Sequence, residues 1–359
     1  MPQVPFSVDT DKPVMVTGAS GYVAGWIVKG LLEAGATVHA PVRDPNNANK
    51  VAHLTAIAET AAGALKLFKA DLLQPGSYAE AMAGCGVVFH TASPFTTTVT
   101  DPQKELIDPA VQGTRNVLEE ANRIESVSRV VLTSSCAAIY TDAIDTVNAP
   151  GGVITEEIWN STASLDHQPY SLSKTLAERA AWEITQAQDR WKLVVINPSL
   201  VIGPSLQKSP TSESFNIVQM LAGGAMKMGA PKIGIGLVDV RDLAQAHLAA
   251  GFLPEAHGRN IISAHNSDFL AMAEALQDDF GDDYALPKRA MPKWLVWLAG
   301  PSQGISRKFV KRNVNVPWRA DSSKGKRELG VSYRPLKESM VDMMDKMIAD
   351  GQMKSGDAL

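Results

Sequence analysis

VMVTGASGYVAG, residues 14–25, sets the reading of the whole chain. Its first four residues are an apolar, β-branched run that ends in TGASG. From Tyr22 the period changes, and Val23, Ile27, Leu31 and Leu32 recur on one helical face through Glu33. A strand therefore turns into a helix across glycines. Gly18 and Gly21 allow backbone conformations and close approaches that a Cβ obstructs, and the first N–H groups of the helix point at whatever lies against the turn. The spacing is G-x-x-G-x-x-A, with Ala24 as the small residue that helix-strand packing needs. A dinucleotide's pyrophosphate suits such a turn. Taken in isolation, the glycine motif is a weak signal, and a tight strand-to-helix turn with no ligand is its alternative reading.

Working outward, short apolar runs alternate with longer segments of helical period from residue 12 to about residue 264. The expected strands are 14–17, 37–42, 65–69, 87–91, 129–133, 193–197 and 260–263, with helices at 22–33, 103–123, 215–222 and 238–252. Repeated β-α units need right-handed crossovers, which stack helices on both faces of a parallel sheet. The fold class is α/β, a doubly wound parallel (Rossmann) sheet with a smaller C-terminal α/β substrate lobe. Residues 11–203 form the dinucleotide-binding part, to which 233–265 return. Residues 204–232 and 266–352 form the lobe, and 1–10 and 353–359 are flexible termini.

Composition narrows the function. The 359 residues are 45% hydrophobic and 20% charged, with 34 basic and 38 acidic residues and a net charge of −4, so neither disorder nor a basic nucleic-acid surface is indicated. No apolar stretch approaches the ~20 residues of a membrane-spanning helix, and residues 1–10, without a basic start or an apolar run, are not expected to be a signal peptide. Two cysteines, Cys85 and Cys136, are too few for a disulfide framework and indicate a reducing compartment, with the cytoplasm expected. Neither nucleic acid nor membrane is an expected partner; a small carbonyl compound is, and the protein is expected as a monomer or homodimer. The seven histidines show no metal-ligand spacing, so no metal is expected.

Three further places carry chemistry. The second strand ends in Pro41-Val42-Arg43, where an NAD site would have an acid near the ribose. Arg43, aided by Lys50, suits a 2′-phosphate and favours NADP(H) over NAD(H), although Arg43 could instead pair with Asp44. The strand RVVLTSS ends in hydroxyls at the carboxyl edge of the sheet, where open α/β folds bind ligands. YSLSK then places Tyr170 and Lys174 four apart, on one face of a helix. A phenol titrates near 10, and a neighbouring ammonium favours its charged form, which matches it better to proton transfer. Ser135, with Ser134 as competitor, would hold a carbonyl oxygen while Tyr170 exchanges its proton.

TGASGY, VRDP, KADL, TASP, TSS, YSLSK and NPSLVIGP occur in one order, and in this set the chain resembles the extended short-chain dehydrogenase/reductases of the NAD-dependent epimerase/dehydratase superfamily. Within them it is similar to the branch of dihydroflavonol-reductase-like, cinnamoyl-CoA-reductase-like and microbial carbonyl reductases. The resemblance runs from about Met15 to Gly258. It implies a phosphate turn of Gly18, Ser20, Gly21, Tyr22 and Val23, with Arg43 and Lys50 at the 2′-phosphate and Asp71 and Leu72 at the adenine. It further implies Thr91, Ala92 and Ser93 at the ribose, Thr133 with Ser135 on the serine strand, and Tyr170 and Lys174 as the acid/base pair, with Thr133, Tyr170 and Lys174 also among the cofactor contacts and Lys174 on the nicotinamide ribose. Pro198, Ser199, Leu200 and Val201 would set the nicotinamide face.

The departures are informative. Plant flavonoid reductases of this kind carry Asn five positions after the serine, where this chain has Tyr140, so a flavonoid is not the expected substrate. Sugar-nucleotide dehydratases follow the hydroxyl with Asp-Glu; here Cys136 and Ala137 stand there, which disfavours dehydration. The expected activity is NADPH-dependent reduction of a ketone or aldehyde, aromatic or hydrophobic, with Phe95, Tyr140 and Trp294 as substrate contacts. An epimerase using the same Tyr, and a non-catalytic NADP sensor, are the alternatives. Trp294, Trp297 and Leu298 could floor the pocket, meet a partner subunit or pack the lobe, whereas the Met340, Met343, Met344 and Met347 stripe reads as core. Asp239 reads as a helix cap.

Overall fold

The computed structural model describes residues 6–93 and 99–353. Seven parallel strands form the central sheet: β1 (Val14–Thr17), β2 (Thr37–Val42), β3 (Ala64–Lys69), β4 (Val87–His90), β5 (Arg129–Thr133), β6 (Lys192–Pro198) and β9 (Gly258–Ile262). Their order is β3-β2-β1-β4-β5-β6-β9, so the winding reverses between β1 and β4. The crossovers are α1 (Tyr22–Glu33), α2 (Ala48–Thr60), α3 (Ala79–Met82), α4 (Asp108–Arg123), α5 (Ala143–Asn148) and α6 (Pro169–Gln186). Alternation along β1 sorts its side chains: Val14 and Val16 join Ile27 and Leu31 of α1, while Met15 joins Val117 and Leu118 of α4. Each such buried side chain contributes about 1.5–3 kcal/mol, and helices on both faces follow from two apolar faces.

The expected strands and the 22–33 helix are present with small shifts at their ends. The 103–123 helix differs: Gln103–Ile107 is wound as a π-helix and α4 begins at Asp108. Pro109 has no N–H to donate four residues back, so the regular ladder cannot run through this point.

The second layer is a three-stranded sheet, β10-β8-β7, of β7 (Leu200–Ile202), β8 (Gly234–Asp239) and β10 (His265–Asp268). β8 therefore lies outside the central sheet, and the chain returns to that sheet only through α8 (Val240–Phe252) and β9. Around it stand α7 (Glu213–Ala222), α9 (Phe269–Glu274), α10 (Gln277–Phe280) and α14 (Leu336–Ala349), while α11 (Lys293–Ala299) packs on α12 (Arg307–Asn313), α12 reaches α5, and α13 (Ser323–Leu329) packs on β9 and α8 of the central layer. The methionine stripe of α14 is fully buried against Phe215, Leu221 and Leu270, as its helical spacing predicts. Asp239 caps α8 through the N–H of Arg241 and pairs with its guanidinium, as also expected.

The termini are more anchored than expected. Phe6 stacks on Phe252 at 6.4 Å, and Met353 is buried in the cluster around α14. The expectations for residues 1–5 and 354–359, and for Phe95, lie outside the described residues.

Two buried histidines make stability depend on pH. Burial holds His90 neutral to about pH 3, helped by the charge of Lys174, and burial holds His247 neutral to about pH 4. In the unfolded chain both titrate near 6.5, so below that pH the unfolded state binds more protons. Their stabilisation is present above pH 6.5 and is lost as the pH falls, down to about 4 for His247 and about 3 for His90, by up to about 1.4 kcal/mol per pH unit for each residue. Urea midpoints are expected to drop between pH 7 and pH 5; equal midpoints would contradict this.

Candidate functional site

The carboxyl ends of β1 and β4 meet where the strand order reverses, the place at which open α/β sheets bind ligands. Gly18 has φ +64°, and a Cβ on it would lie 3.0 Å from the Cα of Ala92. Only glycine fits there without strain. The first turn of α1 has no side-chain cap and no acidic residue, which leaves its N–H groups free for an anion. Thr17 locks the two strand ends together. Its Oγ1 accepts from the N–H of Thr91 (3.2 Å) and of Ala92 (3.1 Å), so its proton goes to Nδ1 of His90 at 2.9 Å.

Arg43 follows β2 directly and is exposed, as is Lys50. Asp44 uses its carboxylate to accept the N–H of Asn46, and Arg43 has no carboxylate partner among the described residues. Asp71 caps its own loop through the N–H of Leu73, and the backbone oxygen of Leu72 accepts from Asn116. Some proposed cofactor contacts have their side chains engaged elsewhere. The Tyr22 hydroxyl donates to Gly203 O (2.6 Å) and its ring packs edge-on against Phe215, leaving its backbone for a cofactor. Thr133 donates to Nε2 of His247, whose Nδ1–H is used by Leu243 O. By contrast, the Oγ of Ser199 is buried without a partner, beside the end of β6.

The hydroxyl strand and the Tyr/Lys helix converge on these tips. Tyr170 lies in the first turn of α6, 44% exposed, with Nζ of Lys174 5.8 Å from its ring centroid. That Nζ donates to Ser93 Oγ at 3.0 Å, tying α6 to the loop after β4. The entry to α6 is fixed by Gln168 in the left-handed region and Pro169 in the first turn. His167, just before them, bonds to Asp142 at 2.7 Å, and Asp142 also holds Asn313 and Arg312 of α12. Burial pushes the Asp142 carboxyl up, but the bonds from His167, Asn313 and Arg312 outweigh it and hold it below its ordinary value.

The two serines part company. Ser134 is buried and donates to Glu178 at 2.5 Å, whereas Ser135 is half-buried with its Oγ accepting only the N–H of Ala137. Cys136 beside them is buried and burial pushes its thiol up, which makes it inert. Glu178 was missed in sequence. It lies eight residues after Tyr170 on α6, turned into the core, and forms a buried ion pair with Arg259 at 2.6 Å while accepting from Asn197. The available signal was a lone carboxylate four residues after Lys174, among the small residues Ala177, Ala180 and Ala181 of the helix's packed side.

Tyr140 packs edge-on against Trp318 at 5.7 Å, in a cluster with Cys136 and Ile139. Trp294 is not brought to the strand tips: it stands 65% exposed on α11, which packs on α12. No group of three or more metal-ligating side chains occurs among the described residues.

The model of the NAD dependent epimerase/dehydratase family matches residues 14–261. A cinnamoyl-CoA reductase, CAD2 of Medicago truncatula, is 36% identical over 337 residues, which covers 93% of this chain and 95% of that protein. The chain belongs to the NAD dependent epimerase/dehydratase family. Among other members, the anthocyanidin reductase of Arabidopsis thaliana is 36% identical over 276 residues, 74% of this chain and 79% of that one. The yeast methylglyoxal/isovaleraldehyde reductase Gre2, solved with NADPH, superposes with a TM-score of 0.76 at 27% identity, covering 95% of this chain and 100% of that chain. With reductases on the sequence and the structural side, this member of the family is an oxidoreductase.

Proposed function

We propose that the protein is an NADPH-dependent carbonyl reductase that transfers hydride to a hydrophobic or aromatic ketone or aldehyde. The observation that carries this reading is the convergence of Ser135, Tyr170 and Lys174 at the tips of β4 and β5, with Lys174 bonded to Ser93. The residues fit the cofactor: Gly18 can only be glycine, the start of α1 is uncapped, Ser199 Oγ lacks a partner and Arg43 stands free beyond β2. Gly18, Ser20, Gly21 and the backbone of Tyr22 and Val23 would hold the pyrophosphate, Arg43 with Lys50 the 2′-phosphate, and Asp71 and Leu72 the adenine side. Ser93, Lys174 and the 198–201 turn would hold the nicotinamide end, which supplies the hydride when bound.

The remaining work falls to the chain's own groups. Ser135 donates a hydrogen bond to the carbonyl oxygen and fixes the carbon toward the cofactor side. Tyr170 gives its phenolic proton to the alkoxide oxygen as that oxygen gains charge. The Lys174 ammonium stabilises the charge left on the phenol oxygen. Tyr140, beside Trp318, offers an apolar wall for the substrate. Two buried free thiols accord with a reducing, cytoplasmic setting.

Two sets of variants test the assignments. Arg43→Ala is expected to raise KM for NADPH about 10- to 100-fold, the worth of a charge-assisted bond, and to leave KM for NADH unchanged. Equal effects on both nucleotides would remove Arg43 from the 2′-phosphate. Ser135→Ala is expected to lower kcat by about 10²–10³ with stability intact, whereas Ser134→Ala removes a bond to buried Glu178 and costs about 1–3 kcal/mol of stability. The reverse pattern would make Ser134 the carbonyl's partner. The reading as a whole is tested by oxidation of NADPH across a panel of aromatic and aliphatic carbonyl compounds. Saturable NADPH binding without turnover on any of them would overturn it.

A further inference from the structure

Helices α11 and α12 form a hairpin whose outer side is apolar and unpartnered. Trp294 is 65% exposed and Leu298 57%, with Trp297 and Leu295 exposed beside them. Only Val296 of α11 is buried, packed with Val310 of α12 and with Val314 just after it. One side of a short helix thus anchors it, and the remainder faces outward. Through the Ala230–Ala290 bridge the hairpin adjoins the loop that carries Met228, 67% exposed.

Charge is sorted onto the same segment. Residues 284–320 contain eight basic residues and no acidic one, in a chain whose net charge is −4. Lys288, Arg289, Arg307, Lys308 and Lys311 are exposed. Of the eight, only Arg312 has carboxylate partners among the described residues, Asp142 and Asp145. The Arg307 guanidinium lies 4.1 Å above the Trp297 ring, a cation seated on an aromatic face at the border between apolar and polar surface. Because these charges are spread along the segment rather than run together, they do not stand out as a basic tract in the sequence.

We propose that this hairpin docks the protein on the surface of an anionic lipid bilayer. The Trp and Leu side chains of α11 enter the boundary between headgroups and acyl chains, where tryptophan's amphipathic ring is favoured, and the basic groups meet the negative surface. Both properties are needed at once, and a lipid surface uses both. A nucleic acid would use the charge but leave Leu295 and Leu298 in water, and a neutral protein partner would use the apolar side chains without the charge. Attachment of this kind needs no spanning segment, in keeping with the absence, among the described residues, of any helix long and apolar enough to cross a membrane. The docking face is tied to the catalytic helix: Arg312 holds Asp142, and Asp142 holds His167 just before α6.

The test is flotation of the full-length protein with vesicles of phosphatidylcholine alone or mixed with phosphatidylglycerol, at low and raised salt. Two surface variants accompany it, Trp294→Ser with Leu298→Ser, and Lys308→Glu with Lys311→Glu. Since each basic residue near an anionic surface is worth about fivefold in partitioning, each double variant is expected to bind mixed vesicles at least roughly tenfold more weakly at an unchanged melting temperature. Binding by the parent should require phosphatidylglycerol and weaken with salt. Failure of the parent to float with mixed vesicles overturns the proposal, as does equal binding by parent and variants. Self-association without vesicle binding, abolished by Trp294→Ser with Leu298→Ser, would instead make this face a contact between copies of the chain.

Discussion

Tyr170→Phe is expected to lower kcat about a thousandfold, within the 10²–10⁴ range that a positioned proton donor contributes, while NADPH binding stays within about twofold of the parent. The substitution removes one hydroxyl from a residue that is 44% exposed, so nothing in the core loses a partner. Lys174 keeps its bond to Ser93, and the glycine turn is untouched. An effect confined to the chemical step follows, read as a fall in kcat and kcat/KM together with an unchanged nucleotide Kd from fluorescence titration. A variant with parental kcat would take the proton transfer away from Tyr170. A variant that lost NADPH binding would give the tyrosine a role in holding the cofactor instead.

The largest expected effect on stability comes from Glu178→Gln. Glu178 is 1% exposed and Arg259 7%, and their pair is roofed by Trp159, whose ring centroid lies 4.1 Å from the guanidinium carbon. Removing one charge leaves the other buried without its counterion, which costs about 3–5 kcal/mol. Arg259 keeps backbone acceptors at Glu156 and Ile158, which places the loss toward the lower end of that range. Replacing both partners by methionine is expected to recover part of the loss, because no uncompensated charge then remains. Urea unfolding of the three proteins measures this, and a loss below about 1 kcal/mol for Glu178→Gln would show that the pair adds little. Because Glu178 also receives Ser134 and Asn197, the variant should lower kcat as well, through displacement of the serine strand from α6. Glu178 is thus a positioning residue, and Glu178→Asp, which keeps the charge, should restore part of kcat.

What could be read from the sequence was local. The turn from β1 into α1, the serines ending β5 and the Tyr170/Lys174 spacing each lie within a few residues, where period and glycine position specify geometry. Features that depend on distant pairing were not readable in this way. β7 is three residues long and β8 begins with Gly-Ile-Gly, so neither has a run of alternating side chains, and their small sheet forms only by meeting across the lobe. The partners that fix the site are remote as well: Glu178 with Arg259, Asp142 with Arg312, Thr133 with His247. For the same reason Tyr22 and Thr133 match a cofactor motif, yet their hydroxyls bond to Gly203 and His247, partners that come from the far half of the chain. Trp294 lay between three readings, a pocket floor, a subunit contact and lobe packing, because local spacing does not say which side of a seven-residue helix is covered; α11 buries only Val296.

The central claim is that hydride passes to a carbonyl carbon at the site formed by Ser135, Tyr170 and Lys174. Its most direct test uses NADPH deuterated at the transferring carbon of the nicotinamide, with a carbonyl substrate found in the panel, and mass spectrometry of the product. The account predicts an alcohol carrying one deuterium on the former carbonyl carbon for each NADPH oxidised, and almost none with Tyr170→Phe. Product formed without deuterium and without net oxidation of NADPH would contradict it, and would mark an enzyme that takes the hydride out and returns it within each turnover, as an epimerase does.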